Sequence, residues 1–374
     1  MITYWLLLIG LTLGGYFICR LKQGRLIYCI AAGIALFTVS AVRAHVGYDY
    51  NLYGTVFMNN MTRSMEDIIA EERMEKGFAI PMKLLSDVTS DYQVMFVIIA
   101  FIITLAVMLY IYFYSEKPYL SVFFFLTFGL FFNSMDFMRQ MIAASVILYA
   151  LQFVKKKQFI RFLALVLFAS VFHISALIMI PFYFILRFKM DWLTLGIYSG
   201  ITVIYFIFSW DILGFVTKYV YKGYDPTKSA EVINGTNPIY ALFFALFFML
   251  AFLLRKELTE KDSFNNILLN CMFFMVFFEI CGIRHAIVSR FAVLFFIPPV
   301  VILMPRVFDV LMKKCSLAFG GDKTRTNILK TVSVVVVMGL CSFIYTYMIA
   351  NNYNGISPYR TIFEEEVDRN GGAD

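Results

Sequence analysis

The chain has 374 residues, of which 61% are hydrophobic and only 15% charged, with a mean hydropathy of +0.76. Soluble domains carry roughly a quarter charged residues, and here apolar runs recur from end to end, so a soluble domain on a single anchor is excluded. A net charge of +7 in a soluble protein would point to an acidic partner; in this chain the excess is orientation signal in short loops, and nucleic-acid binding has no support.

The class expected is all-α and polytopic, because no run alternates apolar and polar residues as an outer-membrane barrel would. A helix needs about 20 apolar residues to cross the hydrocarbon core. Runs at 2–19, 26–42, 92–114, 139–154, 192–209, 238–254, 265–281, 286–304 and 328–350 predict crossings. The first lacks a basic region ahead of it and is read as a retained helix, not a cleaved signal. The run at 119–132 is short. The stretch 159–186 is too long for one crossing and too short for two, with His173 near its middle.

Charge resolves that stretch. If it is a hairpin and 119–132 crosses, one side collects 19 of the 32 Lys and Arg residues but only seven of the 25 Asp and Glu. The positive-inside rule then places that side in the cytoplasm and both termini outside. About 12 passes are expected, forming one domain over 1–350 with an external tail, 351–374. Two further external segments are long, 43–91 and 210–237. In the first, Phe78, Ile80, Leu84 and Leu85 recur at helical spacing and predict an interfacial helix. In the second, Asn234-Gly235-Thr236 matches a glycosylation acceptor, a pattern short enough to arise by chance.

All three histidines, His45, His173 and His285, fall toward the external side, as do Arg43, Arg139, Arg284 and Arg290. Polar groups at membrane boundaries are costly unless paired or wet, so their gathering suggests a shared site. Arg139 opens a helix, where a guanidinium and a helix N-terminus favour the same anion; a snorkelling arginine is the structural alternative. Arg284, His285 and Arg290 bracket one turn, with Glu279 before it as a structural partner for either arginine. Asp49 can serve as a general base or orient a sugar hydroxyl, and Tyr48, Tyr50 and Tyr53 can stack on sugar rings, unless they form an ordinary aromatic belt. His173 lies in an apolar stretch and, as neutral imidazole, can accept a proton from a hydroxyl, or simply bond a carbonyl. The six cysteines show neither metal-ligand spacing nor a disulfide framework. With no HExxH and no Gly-rich phosphate loop, no metal or other cofactor is expected.

The run Arg43-x-x-Val46-Gly47-x-Asp49-Tyr50-x-x-Tyr53, then Glu75-x-Gly77-Phe78, then Arg139-Gln140-x-Ile142-Ala143, then Phe172-His173-x-Ser175-Ala176-Leu177 resembles the EpsG-like proteins, which belong with the Wzy-type polymerases of exopolysaccharide, capsule and O-antigen. Ser289-Arg290 and Pro358-Tyr359-Arg360 fit the same style. The resemblance implies a GT-C-like membrane glycosyltransferase of the bacterial inner membrane. Its donor and acceptor would be glycans on undecaprenyl pyrophosphate, and a chain-length regulator is a possible partner. Such enzymes are thought to work without a metal, arginines taking its place at the pyrophosphate. On that basis Arg139, Arg284 and Arg290 are assigned the pyrophosphate, with Arg43 and Arg360 second. His173 or Asp49 is the base, and Tyr50 and Tyr53 contact sugar. Rival readings are a lipid-linked oligosaccharide flippase, a glycan ligase and a membrane acyltransferase.

Overall fold

The computed structural model describes residues 2–71, 74–219, 235–318 and 322–364, and these are helical with irregular connections. Asn234 and most of 210–237 lie outside the described residues. In order come α1 (Ile2–Ile18), α2 (Gly24–Ala41), α3 (Asp49–Asn60), α4 (Met65–Ala70), α5 (Lys76–Ser86), α6 (Gln93–Tyr114), α7 (Pro118–Thr127), α8 (Leu130–Asp136), α9 (Met138–Lys155) and α10 (Phe159–Ser170). A 3-10 turn, Ile174–Ile178, leads into α11 (Met179–Ile185). Then follow α12 (Trp192–Tyr219), α13 (Pro238–Leu253), α14 (Arg255–Lys261), α15 (Phe264–Gly282), α16 (Ala286–Ser289), α17 (Val293–Pro298), α18 (Met304–Leu317) and α19 (Lys323–Ala350).

Six helices are long and apolar enough to cross a membrane, and eight if α7–α8 and α13–α14, each bent at a short break, count as one span apiece. The bend between α7 and α8 is 59°, and Gly129 makes it with φ +77°, a conformation that costs a residue without Cβ little. The remaining expected segments are shorter or less apolar: α1 with 17 residues, α9 with Arg139 and Lys155 at its ends, and the two legs around His173. That stretch does fold back on itself. Its first leg, α10, has 12 residues, about 18 Å of helix, against a hydrocarbon core of about 30 Å.

Charged residues that the charge pattern assigns to one side meet on one face. Helix ends and loops carrying Glu116, Lys155, Asp262, Arg306 and Lys314 come together through Lys155–Asp262 at 2.9 Å, Lys261–Glu116 at 2.5 Å, Arg306–Asp262 at 3.3 Å and Lys314–Glu257 at 2.5 Å. Residues 43–71, 74–91 and 351–364 lie together at the opposite, cap face. There Tyr4 donates to the Ile356 carbonyl at 2.9 Å, and the Ala44 and Ile362 amides bond the Arg360 and Val42 carbonyls at 3.0 Å. The tail to residue 364 is thus fastened to the body. Between the faces lies an aromatic core, with Phe128 packed on Phe243, Phe244 and Phe247 at centroid distances of 5.0–5.7 Å. Outward positions stay apolar too: Leu193, Ile197, Ile201 and Ile204 of α12 are exposed at helical spacing, which suits lipid.

The expected interfacial helix is α5, and it docks through glycine. The Gly77 amide bonds the Val171 carbonyl at 3.0 Å, and a Cβ on Gly77 would come within 2.6 Å of that oxygen and of Val171 Cγ1. Gly77→Ala is expected to lift α5 off the hairpin and destabilise the protein by about 1–3 kcal/mol. Thermal unfolding in detergent checks this; an unchanged midpoint would show that the close approach is dispensable.

Candidate active site

The docking of α5 brings Glu75, the residue before it, onto the tip of the α10–α11 hairpin. Glu75 Oε1 accepts from the Ile174 amide at 3.0 Å, serving the open N-terminus of the 3-10 turn, and lies 3.0 Å from His173 Nδ1. Its other oxygen pairs with Arg139 Nη1, while Arg139 Nε donates to the Tyr53 hydroxyl at 2.6 Å. One carboxylate thus ties together α3, α5, α9 and the hairpin tip. Burial would raise the Glu75 carboxyl, but the His173 and Ile174 hydrogen bonds and the Arg139 charge outweigh it and hold it at about 2. Burial is also what pushes the Tyr53 hydroxyl up to about 12, against the neighbouring Arg139 charge.

An ionised carboxylate only accepts hydrogen bonds, so His173 Nδ1 must carry the proton. In the neutral imidazole Nε2 is then the lone-pair nitrogen. That is the tautomer a general base needs, fixed by a half-buried carboxylate much as in catalytic triads.

Beside this network a cavity of about 360 Å³ opens among α3, α4 and α5 and the start of α9, lined by Tyr53, Asn59, Asn60, Arg63, Glu71 and Arg139 among others. Small-molecule sites commonly run from about 300 to 1,000 Å³. Both cations on its wall are balanced at rest: Arg63 by Glu71 at 2.6 Å, and Arg139 by Glu75. Arg139 Nη2 has no hydrogen-bond partner among the described residues, nor does the buried Asn60 Oδ1. The cavity therefore has on its wall a guanidinium suited to an anion.

The break between α8 and α9 sends Asp136 and Arg139 in different directions. Asp136, 2% exposed, accepts from the Asp49 amide at 3.1 Å at the start of α3, and Arg290 lies near enough to act on its charge. Arg290 sits 5.4 Å from the Phe137 ring, and its carbonyl accepts from Gln140 at 2.5 Å. Asp49 also acts electrostatically on Tyr53, so this second group borders the first.

Not every candidate joins the cavity. Arg43 is 1% exposed, and its guanidinium is taken up by the Ser40, Val46 and Met135 carbonyls and the Ser40 hydroxyl. Burial lowers it to about 10, still charged at neutral pH. It latches the chain as it leaves α2 and does not face a substrate. Tyr50, also 1% exposed, stacks on Phe96 at 4.2 Å and donates to Gln93 at 2.6 Å; it is a core side chain, unavailable to a sugar ring. Arg284 is exposed, 5.8 Å from the Phe206 ring, and Arg360 is exposed on the tail. The three histidines share a face without sharing a site: His45 meets Asn51, His173 meets Glu75, and His285 meets the Trp210 edge at 4.5 Å. Among the described residues no three His, Cys, Asp or Glu side chains gather as metal ligands.

Fold and site together define a polytopic helical membrane protein with an arginine- and carboxylate-lined cavity at one face, beside which Glu75 joins Arg139 to His173. The chain matches the EpsG family over residues 26–361 and belongs to it. No curated protein and no solved structure matches it. Each segment named for the resemblance contributes to the network: Tyr53 from the first, Glu75 and Gly77 from the second, Arg139 from the third and His173 from the fourth.

Proposed function

We propose that this protein is a polysaccharide polymerase, a GT-C-like membrane glycosyltransferase that joins repeat units carried on undecaprenyl pyrophosphate. The observation that carries the reading is the single network of Tyr53, Arg139, Glu75 and His173 at the edge of the cavity, supported by membership of the EpsG family. A hydroxyl of the acceptor repeat attacks the donor's anomeric carbon. His173 Nε2 takes the hydroxyl proton, the new glycosidic bond forms, and the bond to the pyrophosphate breaks. The departing undecaprenyl pyrophosphate carries the electron pair, and Arg139 Nη2 stabilises the charge that develops there, as fixed donors do in a low-dielectric site. Arg290 and Arg284 are the further cations of this face, Asp49 is the alternative base, and Tyr53 lines the cavity that would take the sugar.

In this reading twelve segments alternate across the inner membrane. The basic face is cytoplasmic, and the cap and both termini are external, where a chain-length regulator would have access. Undecaprenyl-pyrophosphate-linked repeat given to the purified protein is expected to yield polymer and free undecaprenyl pyrophosphate in the presence of EDTA. Movement of intact repeat across a vesicle membrane without polymer would instead establish the transporter reading, and transfer of finished glycan to another acceptor the ligase reading.

A further inference from the structure

On the basic face a second cavity, of about 340 Å³, opens between the α7 N-terminus, α18 and α19, lined by Lys117, Asp309, Met312, Lys313, Ser316 and Lys330. Several cations of this face answer an acid. Lys117 pairs with Asp309, Lys155 with Asp262, Lys261 with Glu116, Arg306 with Asp262 and Lys314 with Glu257. Lys313 and Lys330 pair with no carboxylate among the described residues. Lys330 is half-buried, and on α19 it stands one turn from Thr326 and about one from Ser333. Thr326 is buried, and Ser333 meets Cys315 of α18 at 3.4 Å. This is the helix face turned toward α18, so Lys330 points into the groove and not out to bulk water.

Orientation explains why lysines lie on this face, but here three of them line one cavity whose single carboxylate, Asp309, is already taken by Lys117, which leaves the charge of Lys313 and Lys330 for an anion. On the other side of α19, Ile328 and Val332 are apolar and exposed at the same level, which suits a groove lying at the depth where lipid begins. Basic pockets between membrane helices on the cytoplasmic side are where anionic lipid headgroups bind. We propose that this cavity holds a phosphate group, that of an anionic phospholipid headgroup, between Lys313 and Lys330. The site lies on the face opposite the glycan cleft and does not depend on the polymerase reading.

The test uses the full-length protein in detergent, scored by native mass spectrometry with phosphatidylglycerol, phosphatidylethanolamine or inorganic phosphate added. The expected result is retention of phosphatidylglycerol over phosphatidylethanolamine, undisturbed by millimolar phosphate. Retention should fall about fivefold in Lys330→Gln and about thirtyfold in the Lys313→Gln/Lys330→Gln double variant, as expected for roughly 1 kcal/mol per lysine at a membrane surface. Lys330→Arg keeps the charge and is expected to keep the lipid, which separates a lost site from a misfolded variant. Equal retention of the two lipids, competition by free phosphate, or a double variant that binds like wild type would each overturn the assignment.

Discussion

Arg139→Ala is expected to lower polymer synthesis by about 100- to 1,000-fold, the range found when a fixed donor to a developing oxyanion is removed. The size of the effect follows from the three jobs of one guanidinium. Nε fixes Tyr53 and Nη1 fixes Glu75, and in the proposed mechanism Nη2 meets the leaving group. Arg139→Lys keeps a charge but cannot hold three directions at once, because an ammonium is a point donor and a guanidinium a planar fork. It should recover a minor part of the activity. Substrate should accumulate at the same time, since the step that fails is bond making and not delivery. Radiolabelled repeat incorporation, normalised to protein extracted from membranes, checks both variants. Arg139→Ala synthesising polymer at the wild-type rate would remove the guanidinium from the mechanism.

Glu75→Gln is the second large effect, and it has a pH signature. The Glu75 carboxyl is held at about 2 in the folded protein, below its ordinary value of 4.5. A depressed carboxyl contributes its full stability above the unfolded value and loses it as pH falls toward the folded one. The gap of about 2.5 units corresponds to about 3 kcal/mol. Wild type is therefore expected to exceed Glu75→Gln by about 3 kcal/mol at pH 6 and by roughly half that at pH 3, read from denaturant unfolding in detergent at each pH. A gap that stays constant or widens on acidification would show that the charge of Glu75 is not what matters. Activity should fall further than stability explains, by about 100-fold or more, because a neutral amide no longer fixes the His173 tautomer.

How much of this was legible in the sequence depends on the reach of each interaction. The hairpin around His173 could be read from charge alone, because an odd number of crossings there would have thrown two basic loops to the wrong side. The α5 helix showed in its periodicity. Arg139 and His173 stood out as ionisable groups at membrane ends. Glu75 did not, although it lay in a quoted motif: its partners His173 and Arg139 are 98 and 64 positions away, and a carboxylate in an acidic loop reads as solvated. Arg43 looked like Arg139 in sequence, yet its partners are mostly backbone carbonyls, which leave no trace in side-chain pattern. Arg284 and Arg290 sit in one turn, but one meets Phe206 and the other Phe137, a divergence set by the short helices after His285. Asn60 could not be picked from the chain at all, since its interest lies in an acceptor left unmet by neighbours from other elements.

The most direct test of the polymerase reading is mass spectrometry of lipids from cells lacking this gene, complemented with wild type or Arg139→Ala. The account predicts undecaprenyl pyrophosphate carrying a single repeat in the deleted strain, cleared by wild type and not by Arg139→Ala. An unchanged lipid pool in the deleted strain would contradict it.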